Sequence, residues 1–519
     1  MEPMIYQGIG VGNNSAWGRA FVLSKPKFTA ESKSSLDPAT ELNRLKGALA
    51  AVSQQFEHSI TESDSVSNEI IKALQSMAQD PALVTEAEKH LAAGWDAETS
   101  IQKAMKSFTE ALRGVPTFED RVADLGDIAL RVVAVLTNQT WNIELPGTGP
   151  VVIVAEDLSP LETARFTDAV VAVITSGGGP TSHTAIICRQ KNIPALVAVD
   201  GALEIGNNVG VFVDAFEGVA KLSETPVTSE PKQIKRQRTN QLLVSIKVNI
   251  GSIQDAEVLA KTEASGVGLM RTEFLFLSRT SAPSISEQIG IYSSILKSSP
   301  KGEFIFRTFD SANDKPLAFY DNNPREVLEE QLQAISDAQN LSGRSVSVMA
   351  PMLSTVQEVE DFVVLARSKG IARVGVMVET VALTEVIAEL AGTVDFVSIG
   401  TNDLSRDLFK VDREDPNSAR LLDPWQPELL RAIKGIALDS SKSGIELGVC
   451  GEAASDPLLG IVLAGLGVQS LSMAAPAVSQ SFDYLSSVSL EQARVVAAAA
   501  LQGNTALEAK ELALAALPN

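Results

Sequence analysis

From Ser245 onward the chain repeats one unit eight times: a short apolar run, then in most cases a stretch of amphipathic helical period. The runs are "IKVNIG", "GVGLMRTEF", "FIFRTFD", "SVSVMAPM", "RVGVMVET", "FVSIGTND", "IELGVCGE" and "QSLSMAAP". Near-continuous apolar runs of this length suit strands buried on both faces, as in a parallel sheet covered by helices. Eight units in roughly 270 residues predict a (β/α)8 barrel, whose chemistry sits at the C-terminal ends of the strands. Polar residues gather at those ends. Arg271 and Glu273 close the second run, Arg307 and Asp310 the third, and Glu379 the fifth. Asn402 and Asp403 close the sixth, Cys450 and Glu452 the seventh.

These residue types suit a small phosphorylated acid. Two guanidinium forks, Arg271 and Arg307, match phosphate and carboxylate oxygens. Glu379 and Asp403 are hard oxygen donors, and Mg2+ takes one or two carboxylates together with substrate oxygens. Cys450 is placed either to donate a proton or to pack in the core.

The N-terminal half has another texture. After a strand-like "GRAFVL", residues 37–138 carry apolar positions at spacings of three and four, including Leu42, Leu45, Leu49, Val52, Phe56 and Ile60. That period predicts a helical bundle, with His58 and His90 as ordinary surface residues of its helices. Past Pro150, "VVIVAED", "AVVAVIT" and "VFVDAF" read as buried strands of an α/β unit. The first 24 residues can complete its sheet, which would make the bundle an insertion. Residues 223–242 are polar and read as a linker.

Within the α/β unit lies "GGGPTSHT". His183, one of three histidines in 519 residues, precedes a short helical pattern ended by "NIP". A helix N-terminus favours a phosphoryl group, and the glycines keep the approach clear of side chains. A histidine here can attack phosphorus and carry it covalently.

Composition bounds the partners. The formal charge of −21, from 43 basic against 64 acidic residues, argues against nucleic acid, which is bound by neutralising phosphates. No apolar run is long enough for a membrane span, and the first residues lack a signal-peptide pattern. Two isolated cysteines suit a reducing cytoplasm. The acidic balance suits a basic protein partner.

The stretches "GGPTSHTAII", "GVGLMRTEFLFL", "MAPMLSTVQEV", "VGVMVET", "DFVSIGTNDLS", "VDR" and "GVCGE" lie between residues 178 and 452, within a likeness that covers essentially the whole chain. In combination they resemble the enzyme I family of the bacterial sugar phosphotransferase system. The resemblance implies an α/β chain with a C-terminal (β/α)8 barrel and an N-terminal α/β phosphohistidine domain carrying an inserted helical bundle. Its implied boundaries are 1–24 and 145–225 for the phosphohistidine domain, 25–144 for a helical domain docking the carrier protein HPr, 226–244 for a linker, and 245–519 for a phosphoenolpyruvate-binding barrel that dimerises. It implies that His183 is phosphorylated, that Arg271, Arg307, Asn402, Asp403 and Arg413 surround phosphoenolpyruvate, and that Glu379 and Asp403 hold Mg2+. It further implies that Cys450 protonates the enolate to give pyruvate.

The chain departs from that pattern. It runs from Asn323-Pro324 directly into "REVLEEQL", where the family carries an arginine-bearing segment, and "NDLSRDLFKVDR" replaces the family's "T-Q-Y". Weaker substrate affinity is expected; Arg325 is the only nearby arginine that could substitute, unless its helix position turns it outward. The same departure keeps a second reading open: a degenerate regulator that binds HPr-like proteins.

Overall fold

β9 (Ser245–Ile250), β10 (Gly266–Arg271), β11 (Glu303–Arg307), β12 (Ser347–Ala350), β13 (Arg373–Val378), β14 (Phe396–Ile399), β15 (Glu446–Val449) and β16 (Ser470–Met473) form a closed barrel. Neighbours are parallel throughout, and β16 closes the ring on β9 with Ser470 opposite Ser245. This is the barrel that the repeated apolar runs predict. The computed structural model describes residues 4–12, 14–23, 31–58, 74–112, 119–139, 149–159, 162–163, 165–180, 182–227, 242–251, 255–256, 259, 262–273, 283–299, 302–309, 324–411 and 419–518.

Two layers fill the barrel interior. At the N-terminal end lies an ionic layer from alternate strands, as barrel geometry requires. Lys247 on β9 meets Glu303 on β11 at 2.5 Å, and Arg373 on β13 bridges Glu303 at 3.1 Å and Glu446 on β15 at 2.6 Å. Above it, Leu269, Ile305, Met349, Met377 and Phe396 form an apolar plug that reaches Cys450.

The ionic layer carries a stability prediction. Burial pushes the Glu303 carboxyl up, but Lys247 and Arg373 outweigh it and hold the group below the ordinary glutamate range. The native state thus binds this proton less tightly than the unfolded chain does. Its contribution is complete above the unfolded-chain value of about 4.3 and is lost as pH falls through the lowered native value. Glu303→Gln should lower the melting temperature at neutral pH, and the gap to the unmodified chain should close in acid. A gap that is constant across this range would assign the loss to packing.

The N-terminal sheet has the order β1-β8-β7-β3-β4-β5-β6-β2, built from β1 (Ile5–Gln7), β2 (Ile9–Val11), β3 (Ser15–Val22), β4 (Val151–Ala155), β5 (Val170–Thr175), β6 (Ala195–Val197), β7 (Gly210–Asp214) and β8 (Val219–Leu222). β3 and β4 pair in parallel, Arg19 opposite Val151. The bundle therefore lies between two adjacent strands of the sheet, and strands β1 to β3, within residues 5–22, do join it. β1, β2, β6 and β8 have three or four residues each, too few to show a period in sequence. They are held by pairing with strands that are distant along the chain.

The bundle contains helices Pro38–His58, Pro81–Ala92, Ala97–Leu112 and Glu119–Leu136. Leu45, Leu49, Val52 and Phe56 form its core as their spacing predicts; Ile60 lies outside the described residues. His90 differs from the surface expectation. It is half-buried, with Nε2 enclosed and without a hydrogen-bond partner among the described residues. His58 ends its helix. Most of the expected linker, residues 228–241, lies outside the described residues. Among the described residues no helix is long and apolar enough to cross a membrane.

Candidate active site

Arg271 and Arg307 are the last residues of β10 and β11, while Glu379 and Cys450 directly follow β13 and β15. The strand ends therefore deliver two cations, a carboxylate and a thiol to one mouth. Their convergence is electrostatic as well. Burial pushes the Cys450 thiol up to about 11, Glu379 adds to the rise, and Arg271 and Arg307 oppose it. At neutral pH the thiol is protonated.

Asn402 and Asp403 correct the expectation that they end a strand. β14 stops at Ile399, and both residues lie in the first turn of helix Thr401–Phe409. The chain passes from strand to helix at Gly400, whose carbonyl accepts the Leu404 N–H at 3.0 Å. Gly400 packs closely against Glu379: a Cβ there would stand 2.5 Å from Glu379 Oε1. The Asp403 carboxylate then sits at the positive end of the helix.

Neighbouring groups hold each side chain in place. The Glu379 carboxylate is buried and accepts the Met352 N–H at 3.0 Å. Met352 has φ of 57°, a left-handed backbone uncommon outside glycine. Arg307 Nη2 meets Glu273 Oε1 at 2.5 Å. The Thr272 hydroxyl donates to the Arg307 carbonyl at 2.8 Å, and Gln331 donates to Thr272 at 3.0 Å. The Cys450 carbonyl accepts from Asn249 Nδ2 at 3.1 Å, and Asn249 accepts from Ser472 at 2.6 Å. Asn402 Oδ1 accepts the Glu452 N–H at 3.1 Å. Asp403 Oδ1 pairs with Arg406 Nη1 at 2.8 Å, one turn along the same helix.

His183 opens helix His183–Gln190, as the sequence predicts, with Ser182 as its N-cap accepting the Ala185 N–H. The ring is half-exposed, and its Nε2 is hydrogen-bonded to Thr163 Oγ1 at 3.0 Å. Thr184 anchors the helix start by donating to Asp157 at 2.9 Å. Gly178 adopts φ of 71°, which supplies the left-handed turn that the glycine run allows.

Thr163 and Asn249 escaped sequence reasoning. Each comes from an element distant along the chain from the residue it holds, and no spacing marks them. Arg406 did leave a signal, three residues after Asp403 on a helix. Arg413 and Asp310 lie outside the described residues. Arg325 does not serve as the substitute arginine in this arrangement: its side chain is 80% exposed and pairs with Glu329 one turn away.

Comparison with known proteins agrees with this architecture. Residues 228–488 match the PEP-binding domain of PEP-utilising enzymes, 147–218 their mobile domain, and 7–120 their N-terminal domain. The phosphoenolpyruvate-protein phosphotransferase of Streptomyces coelicolor is 34% identical over 552 residues, covering 99% of this chain and 98% of that protein. The chain belongs to the phosphoenolpyruvate-protein phosphotransferase family. A second such phosphotransferase, from Bacillus subtilis, is 28% identical and covers 94% of this chain and 95% of its own length. A multiphosphoryl transfer protein of Rhodobacter capsulatus is 31% identical over 85% of this chain but only 59% of its own length. This phosphotransferase thus spans nearly the full length of its single-function relatives.

The donor set at the mouth fits Mg2+. Glu379 and Asp403 offer carboxylate oxygens from adjacent strand–helix units, and Mg2+ takes one or two carboxylates with waters and substrate oxygens. No larger group of metal-binding side chains occurs among the described residues.

Proposed function

We propose that this phosphotransferase moves the phosphoryl group of phosphoenolpyruvate to His183 and then to a histidine of the carrier protein HPr, the entry step of the sugar phosphotransferase system. The observation that carries the proposal is the convergence of Arg271, Arg307, Glu379 and Cys450 on one mouth, with a helix-borne histidine on the neighbouring unit.

In the first half-reaction an imidazole nitrogen attacks phosphorus, and the bond from phosphorus to the enol oxygen breaks. The electron pair leaves with the enolate. Arg271 and Arg307 bind the anionic substrate, with Glu273 fixing the fork of Arg307. Asn402 offers its amide N–H groups, since its oxygen is engaged with the Glu452 amide. Cys450 gives its proton to the methylene carbon, and pyruvate forms. Glu379 and Asp403 would hold Mg2+, which when bound neutralises charge on the substrate oxygens. In the second half-reaction the His183 phosphoryl group passes to the carrier, docked on the helical unit within 25–144. We assign residues 1–24 and 145–225 to the phosphohistidine domain, 226–244 to the linker, and 245–519 to the substrate-binding, dimer-forming barrel. A cytoplasmic setting suits this chemistry and the two free, buried cysteines.

The regulator reading gains no further support. Arg271, Arg307, Glu379, Asn402, Asp403 and Cys450 are all present at the mouth, whatever the shortened segment after Pro324 removes.

The metal assignment is tested by Glu379→Gln and Asp403→Asn. Each should weaken Mn2+ binding, measured by calorimetry, by about 10- to 100-fold or more, and Mg2+-dependent phosphorylation should be lost. Unaltered Mn2+ affinity in either variant would remove that carboxylate from the site.

A further inference from the structure

Helix His183–Gln190 carries the phosphoryl acceptor at its first residue and Arg189 near its last. Arg189 Nη1 does two things. It donates to the Pro180 carbonyl at 2.7 Å, inside the glycine-rich loop, and it meets Glu452 Oε2 of the barrel at 3.1 Å. The two side chains are only 14% and 20% exposed. Glu452 lies two residues beyond Cys450, and its backbone N–H is bound by Asn402. One ion pair therefore joins the histidine loop to the barrel mouth. His183 and Arg189 are about 9 Å apart along the helix axis at 1.5 Å per residue, so the pair sets where the histidine stands relative to the strand ends.

The other contacts described between these units are also mostly polar. Arg420 pairs with Asp200, and Lys510 donates to the Phe216 carbonyl. Phe216 adds apolar packing: it is buried in the barrel's apolar cluster, its ring centroid 6.4 Å from that of Tyr484. Interfaces between domains that rest largely on polar contacts suit relative motion.

We propose that Arg189 and Glu452 form a docking latch. They are positioning residues that hold His183 over the mouth for transfer from phosphoenolpyruvate and take no part in transfer to the carrier. Glu452 reports on the mouth through Asn402: a substrate that orders Asn402 also orders the Glu452 backbone, and with it the partner of Arg189. The proposal rests on His183 as the acceptor.

The test uses the full chain and separates the two half-reactions. His183 phosphorylation is timed from saturating phosphoenolpyruvate with Mg2+, and separately from phosphorylated carrier protein. Arg189→Glu and Glu452→Arg should each slow the first by about tenfold or more and leave the second within about twofold, as expected for a partly buried charge pair across an interface. The double reversal should restore most of the lost rate. Arg189→Gln and Glu452→Gln give the same comparison without introducing repulsion. Equal loss in both half-reactions, no loss from phosphoenolpyruvate, or a double reversal no better than its parents would overturn the latch. Were His183 not the acceptor, the unmodified chain itself would carry no phosphoryl group there, and that failure would show before any variant is compared.

Discussion

His183→Ala is expected to abolish labelling of the chain both by phosphoenolpyruvate with Mg2+ and by phosphorylated HPr. His183 combines a helix N-terminus, a half-exposed ring and a preceding loop rich in glycine. His58 and His90 belong to the bundle, and His90 Nε2 is enclosed. The Thr163 hydroxyl fixes the ring plane from one side, which orients the imidazole before attack. Covalent transfer needs the nucleophile itself, so the loss should be complete rather than graded. Acid-labile label persisting in the alanine variant would move the acceptor elsewhere. Thr163→Ala gives a graded comparison, because it removes orientation and leaves the nucleophile.

Cys450→Ala should reduce pyruvate formation by about 10²- to 10⁴-fold, the range for a positioned general acid, with little change in the affinity for phosphoenolpyruvate. The thiol is 2% exposed, and burial keeps it protonated, with its pKa up at about 11. A protonated acid buried between strand ends is in the right state to quench a carbanion, and water has little access to replace it. Its carbonyl is held by Asn249, itself fixed by Ser472, so strands β9 and β16 place a residue that follows β15. Binding is the work of the guanidiniums, which the substitution leaves in place. Turnover at the unmodified rate in Cys450→Ala would reduce the thiol to a packing role in the apolar plug.

Much of this site was legible before any coordinates. Arg271, Arg307, Glu379 and Cys450 each end or directly follow an apolar run, and the barrel rule places such ends at one mouth. His183 was legible because Gly and Pro precede it and a helical pattern follows. Asn402 and Asp403 were misplaced onto a strand because "FVSIG" reads on into "TND" with nothing to stop it. The chain leaves β14 where the Gly400 carbonyl accepts the Leu404 N–H, and Gly400 packs against Glu379, which follows the neighbouring strand, a contact between residues that no local pattern relates. For Arg325 the structure takes the outward orientation that its helix position left open. Nearness in sequence to a missing segment says nothing about which side of a helix faces the mouth.

The sequence by itself determined the barrel, the helical bundle, and which chemical groups the strand ends carry. These follow from local physics: the length and period of apolar runs, and the rigid link between a parallel strand and its C-terminal end. Only the tertiary structure decided which groups act on one another. β3 and β4 pair across an entire bundle; Thr163 meets His183, Asn249 meets Cys450, and Arg189 reaches from one unit to Glu452 in the other. Each of these joins residues whose separation along the chain carries no signal. Their energies depend on distance and burial, and both exist only once the chain has closed on itself.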